Sequence, residues 1–164
     1  MGLVLFRFYR RKIMGRREIA TENFHKGYNC SQAVALAFND LMKLDESTLL
    51  KLSSSFGGGI GRMREVCGTV SGMAMVLGVL YGFDASTPGE EKTAHYARIQ
   101  EVCKKFEEQN GSIICRELLG LNVKNDSPVP EKRTPEYYKK RPCDLLCGDA
   151  AEILEEYINN HPLQ

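Results

Sequence analysis

The chain has 164 residues, 43% of them hydrophobic, which suffices for one sizeable core and falls short of two comfortable domains. With 22 basic against 21 acidic residues the formal net charge is +1, so no global field recommends nucleic acid or an acidic partner. The expected organisation is a basic and aromatic extension over residues 1–17, followed by one all-α, multi-helix domain over residues 18–164.

The first 13 residues place a short apolar run ahead of Arg7, Arg10, Arg11 and Lys12, the reverse of the signal-peptide order, with no small-residue cleavage site. They read as an extension outside the fold, with Met14 as an alternative start, and secretion is not expected. The expected compartment is the cytoplasm. There six cysteines are held as thiols, and metal binding or redox chemistry outranks a disulfide framework.

Glu18 to Lys26 reads as a first helix closed at Gly27, and Ser31 to Lys43 as a second with Ala33, Val34, Ala37, Phe38, Leu41 and Met42 on its apolar face. Asp45 caps a third, which ends at Phe56-Gly57-Gly58-Gly59-Ile60-Gly61. That glycine run resembles a phosphate cradle, yet no strand precedes it and the Gly-Lys-Ser/Thr of a P-loop is missing. It reads instead as a turn that brings Cys67 toward the other cysteines.

From Val66 to Phe83 the chain carries 18 residues without a charge, the one transmembrane candidate. Its length is marginal and the mean hydropathy of the chain is −0.31, which favours a glycine-rich central helix buried on all sides, with no membrane span. Small residues at Gly68, Ser71, Gly72, Ala74 and Gly78 let a second helix approach closely and leave room beside Cys67; a homodimer is compatible with the same strip.

Glu90 to Gln109 reads as an amphipathic helix with Ala94, Ile99, Val102, Cys103 and Phe106 inward and Asn110-Gly111 as its end. Ser112 caps a short helix that carries Cys115 in its first turn. Leu121 to Pro142, with Pro128, Pro130, Pro135 and Pro142, is either a lid over a site or a surface connection, with a helical turn at Thr134-Pro135-Glu136. Within it Tyr137 to Arg141 is a basic aromatic run, either a site for an anion or, the preferred reading, a solvated loop. Asp144 to Asn159 is the last helix, with Leu146, Cys147, Ala150, Ala151, Leu154 and Ile158 inward. The histidines His25, His95 and His161 show no ligand spacing and no Cys-x-x-Cys-His, so they read as exposed or helix-face residues and covalent c-type haem is not expected.

Four cysteines stand at expected helix starts: Cys30, Cys67, Cys115 and Cys143. Unpaired N–H groups and the positive end of a helix dipole favour a thiolate there, and thiolates coordinate metals and attack disulfides. Their separations of 37, 48 and 28 residues fit no zinc-ribbon or ferredoxin spacing, so a shared site has to be assembled by the fold. Cys147, one helical turn after Cys143, is an additional candidate for a shared metal or a resolving pair. A buried cysteine often only fills space, and Cys103 in mid-helix is assigned to packing.

The ordered combination Gly27-Tyr28-Asn29-Cys30-Ser31-Gln32-Ala33-Val34, Phe56-Gly57-Gly58-Gly59-Ile60-Gly61-Arg62, Val66-Cys67-Gly68-Thr69-Val70-Ser71-Gly72, Cys115-Arg116-Glu117-Leu118-Leu119-Gly120 and Cys143 before Asp149-Ala150-Ala151-Glu152-Ile153-Leu154 resembles the C_GCAxxG_C_C family of redox-active proteins. The resemblance covers roughly Glu18 to Tyr157 and places the family's four characteristic cysteines on Cys30, Cys67, Cys115 and Cys143. Thr69 stands where the family often has Ala, which adds a hydroxyl close to a sulfur. The family is itself similar to the non-haem part of split-Soret cytochromes. The resemblance implies a helical redox protein and leaves its reaction and cofactor open.

Three functions follow as expectations. The first is electron transfer through an iron–sulfur cluster or other metal bound by Cys30, Cys67, Cys115 and Cys143, serving an unidentified redox partner. The second is cofactor-free thiol–disulfide chemistry or redox sensing, in which a low-pKa Cys67 is the attacking, catalytic thiol. The third is a structural zinc or interaction module without turnover.

Overall fold

A computed structural model describes residues 14–163, so the segment 1–13 of the expected extension lies outside the described residues. Among the described residues the chain forms nine helices and no strand: α1 Arg16–His25, α2 Cys30–Leu36, α3 Asn39–Met42, α4 Glu46–Ser54, α5 Gly68–Tyr81, α6 Gly89–Asn110, α7 Cys115–Leu118, α8 Pro135–Lys140 and α9 Cys143–Asn160. The fold is all-α, as expected. α1 lies along α9, α2 packs on α5 and against α1 and α4, and α6 crosses both α5 and α9. The core between them holds Phe24, Val34, Phe38, Leu49, Met73, Leu77, Phe106 and Leu154.

Helix starts follow local chemistry. Asn29 accepts from the Gln32 N–H while the Gln32 side chain accepts from the Asn29 N–H, a reciprocal cap at the head of α2. Asp45 caps α4 through Thr48 N–H, and Thr134 caps α8 with Pro135 in its first turn. α1 begins at Arg16 and takes both arginines into the fold: Arg16 pairs with Asp40, and Arg17 with Asp149.

The expected helix from Ser31 to Lys43 is two helices. α2 stops at Leu36, and Arg16 Nη1 donates to the Ala37 carbonyl at 2.6 Å, with its guanidinium carbon 5.0 Å from the centre of the Phe38 ring. That carbonyl is the acceptor an unbroken helix would offer to Leu41; the Leu41 N–H turns to Phe38 O instead. A residue 21 positions away thus divides the apolar segment.

No helix of the described residues is long and apolar enough to cross a membrane. The charge-free segment forms α5, and burial on all sides does not hold for it. A Cβ on Gly72 would lie 3.0 Å from Val34 Cβ and 3.1 Å from Ser31 O, so this end is in close contact with α2. Gly78 has open space where a Cβ would stand, and Val79 is 45% exposed. What stays open is the C-terminal turn of α5, since Val79 lies two helical turns beyond Gly72 on the same face. His25 and His161 are exposed as expected, whereas two residues of α6 depart from expectation: His95 is buried against Phe83, and Ala94 is exposed.

Candidate functional site

Each of the four cysteines stands at a helix boundary: Cys30 opens α2, Cys67 precedes α5 as its N-cap, Cys115 opens α7 and Cys143 opens α9. The segments before α5 and α7 run antiparallel and are tied by backbone hydrogen bonds. Cys67 N–H donates to Ile113 O at 2.8 Å, Cys115 N–H to Glu65 O at 2.6 Å, and Arg116 N–H to Arg64 O at 3.2 Å. This short ladder sets Cys67 beside Cys115, while the packing of α2 on α9 sets Cys30 beside Cys143.

Cys30, Cys67, Cys115 and Cys143 all line one cavity of about 450 Å³. Cys103 is on α6, outside that wall. Cys147 is fully buried behind it, with its sulfur 3.9 Å from the Cys30 carbonyl oxygen, and it contacts the Cys30 thiol. Among the described residues no three His, Cys, Asp or Glu side chains are gathered around one point as a single metal ion requires.

The glycine run closes over Cys115 rather than drawing Cys67 inward. Gly58, Gly59, Ile60, Gly61 and Arg62 all have positive φ, between 53° and 70°, and Arg64 follows at 61°. For Ile60, Arg62 and Arg64 this backbone is strained. At Gly59 a Cβ would fall 2.6 Å from Glu65 N and 2.7 Å from Cys115 Cβ, so only glycine lets the loop pass this close to the cysteine. Gly68 does the same at Cys30, where a Cβ would stand 3.1 Å from the cysteine Cβ.

The proline-rich connection is a wall of the site. Pro128, Pro130, Glu131, Arg133, Tyr137 and Arg141 line the cavity, and the connection is fastened to the glycine loop: Asp126 N–H donates to Arg62 O, and the Asp126 carboxylate accepts from Arg62 and Arg64. Arg141 pairs with Glu131. Tyr137 and Tyr138, expected on a solvated run, are half-buried against Phe24 because α8 folds back onto α1, and Arg133 stacks 4.0 Å above the centre of the Phe24 ring.

Four guanidinium groups, those of Arg62, Arg64, Arg133 and Arg141, line the cavity; the first two pair with Asp126 behind the wall, Arg141 pairs with Glu131, and Arg133 donates to the Phe24 and Tyr28 carbonyls, which leaves an excess of two positive charges. The sequence reading named Arg62 within the glycine motif and Arg141 within the basic aromatic run, and missed Arg64, Asp126, Glu131 and Arg133. The signal available was Arg62-x-Arg64 directly after a glycine run, where long cations have no obvious helix face to occupy.

The expected low pKa of Cys67 is overturned. Burial pushes its thiol up to about 11, and the Thr69 hydroxyl, 3.1 Å from the sulfur, offsets only part of this. Cys143 is raised first by the neighbouring Cys30 thiol and then by burial. For Cys30 the contact with Cys143 lowers the value, but the contact with Cys147 and burial outweigh it, leaving it well above the ordinary range. Burial also raises Cys115, against the pull of Arg64. The helix-start argument fails on magnitude: a helix N-terminus favours an anion by ~0.3–1 kcal/mol at an exposed site, and α2 and α7 are short, whereas full burial can shift an ionisable group by ~3–5 pKa units.

No curated protein and no solved structure matches this chain. A family model described as "Putative redox-active protein (C_GCAxxG_C_C)" matches residues 28–157, which takes in all four cavity cysteines, the glycine loop and the proline-rich wall. The chain belongs to the C_GCAxxG_C_C family of redox-active proteins.

Proposed function

We propose that the protein is an electron carrier in which Cys30, Cys67, Cys115 and Cys143 bind an iron–sulfur cluster, or a comparable thiolate-bound metal group, and exchange electrons with a redox partner. The observation that carries this reading is the position of all four sulfur-bearing residues on one cavity of about 450 Å³. Soft thiolate donors select iron–sulfur clusters, zinc or copper(I). Sulfurs distributed around a wide cavity, rather than gathered at one point, suit a group in which different cysteines bind different metal atoms. The excess of two guanidinium charges suits a group made net negative by thiolate and sulfide. When bound, such a group supplies one-electron redox chemistry; the chain supplies the sulfurs, the compensating charge and the apolar wall of Phe24, Leu118 and Leu146.

The raised thiols add a consequence. They hold their protons until a metal displaces them, so loading releases protons. The deciding experiment is iron and acid-labile sulfide analysis with a visible spectrum of anaerobically purified or reconstituted protein. Sulfide-to-iron charge-transfer bands that vanish in Cys67→Ser are expected. Zinc without those bands would favour a structural metal instead, and neither metal nor bands after reconstitution would overturn the metal reading.

The contact between Cys30 and Cys143 favours a second reading. In it the two thiols close to a disulfide while a low-molecular-weight disulfide is reduced to two thiols, two electrons and two protons passing between them. Peptide mapping of metal-free protein treated with such a disulfide is expected to return a Cys30–Cys143 pair; mixed disulfides spread over all six cysteines would refute it.

A further inference from the structure

We propose that Arg64 is a positioning residue that fixes one buried positive charge against Cys115 and makes that sulfur the point on the cavity wall where negative charge is best accommodated. Arg64 is only 4% exposed, and its Nη1 lies 3.9 Å from Cys115 Sγ. The opposite edge of the same guanidinium is held by Asp126, whose Oδ2 accepts from Nε at 3.1 Å and from Nη2 at 2.7 Å. A planar fork pinned along one edge has a fixed direction along the other. The backbone is pinned as well: Arg64 N–H donates to Gly58 O at 3.1 Å, and its carbonyl accepts from both the N–H and the Nη1 of Arg116. Its φ of 61° is a conformation that a non-glycine residue adopts only when its surroundings impose it.

Arg141 and Arg133 also act on Cys143 through their charge, but among the described residues Cys115 is the one cavity cysteine whose sulfur accepts from a guanidinium. Cys67 faces the Thr69 hydroxyl, and Cys30 and Cys143 face each other. Burying a guanidinium carries a large desolvation penalty, and replacing a buried ion pair by apolar residues is often neutral or stabilising. Stability alone therefore does not account for Arg64 being aimed at a sulfur. A positive charge beside a sulfur favours electron density there, whether the sulfur is met by an anionic reagent or binds a metal whose reduction adds negative charge. The second of these rests on the cluster reading above; the first does not.

The test separates them. In reduced, metal-free protein at one fixed pH, Cys115 is alkylated with iodoacetate, an anion, and in parallel with iodoacetamide, its neutral counterpart, and the two rates are read by peptide mass spectrometry. Taking the ratio cancels differences in access and in thiolate fraction. A unit charge about 4 Å away, screened by Asp126 and by solvent in the cavity, gives an expected iodoacetate-to-iodoacetamide ratio about tenfold above that of Cys115 in the urea-unfolded chain. Arg64→Met should return the ratio to the unfolded value and Arg64→Lys should keep most of it. Asp126→Asn breaks the same ion pair but leaves the positive charge, so the ratio should hold or rise; a merely structural role for Arg64 would make Asp126→Asn behave like Arg64→Met.

A wild-type ratio equal to the unfolded one, a fall in Asp126→Asn, or no labelling of Cys115 by either reagent would overturn the proposal. If circular dichroism shows that Arg64→Met does not fold, Arg64→Lys and Asp126→Asn carry the decision. In loaded protein, the reduction potential should drop in Arg64→Met and rise in Asp126→Asn. A changed labelling ratio with an unmoved potential would leave the role of Arg64 standing and place the redox group away from Cys115.

Discussion

Gly59→Ala should damage the site and the fold together. Gly59 has φ +70°, and a Cβ there would sit 2.6 Å from Glu65 N, 2.7 Å from Cys115 Cβ and 2.9 Å from Arg64 C. Two of these neighbours are backbone and the third is anchored at the head of α7, so none gives way as a flexible side-chain tip would. The left-handed conformation costs an L-residue ~1–2 kcal/mol, and overpacking adds ~1–3 kcal/mol. The smaller entropy of the unfolded alanine chain returns ~0.4–1 kcal/mol, which leaves a net loss of about 2–4 kcal/mol. Gly61→Ala is the matched control, with φ +53° and nothing within 4 Å of the added Cβ. It carries the conformational term alone, about 1 kcal/mol. Urea unfolding of both variants measures the difference, and Cys115 alkylation should change in Gly59→Ala while staying unchanged in Gly61→Ala. Equal midpoints for the two variants, or a Gly59→Ala protein as stable as wild type, would refute the close approach of loop and cysteine.

Further outcomes are expected elsewhere in the molecule. Gly72→Leu should lose ~1–3 kcal/mol or more in denaturant titration, because a Cβ already reaches Val34 at 3.0 Å; a Gly78→Leu control, with open space at that position, should lose less. His95 has its pKa lowered from its ordinary 6.5 by burial and then by Arg98, so the unfolded chain binds the more protons just below that pH. Stability contributed by neutral His95 is therefore present above pH 6.5 and lost as the pH falls through the lowered value, and His95→Gln should flatten this acid limb of a stability–pH curve. Cys67→Ser should abolish bound metal in elemental analysis with helix content nearly unchanged, whereas Cys103→Ser, outside the cavity wall, should retain it.

What the sequence by itself determined is what neighbouring residues decide among themselves. Asn29 with Gln32, Asp45 with Thr48, Thr134 ahead of Pro135, and Gly111 past the end of α6 each close a helix within a few positions, so most helix ends and the all-α class were legible. The boundary positions of Cys30, Cys67, Cys115 and Cys143 were legible for the same reason. Tertiary structure decided whatever depends on partners far along the chain. Arg16 divides the segment after Cys30 by taking the Ala37 carbonyl, and the neighbours of α5 leave its C-terminal turn, with Gly78 and Val79, open. Asp126, 62 residues beyond Arg64, turns that guanidinium toward Cys115. The direction of the cysteine pKa values belongs to the same class. A helix start is a local property that favours the thiolate, whereas desolvation is set by everything packed around the sulfur, and at Cys67 burial is the larger effect.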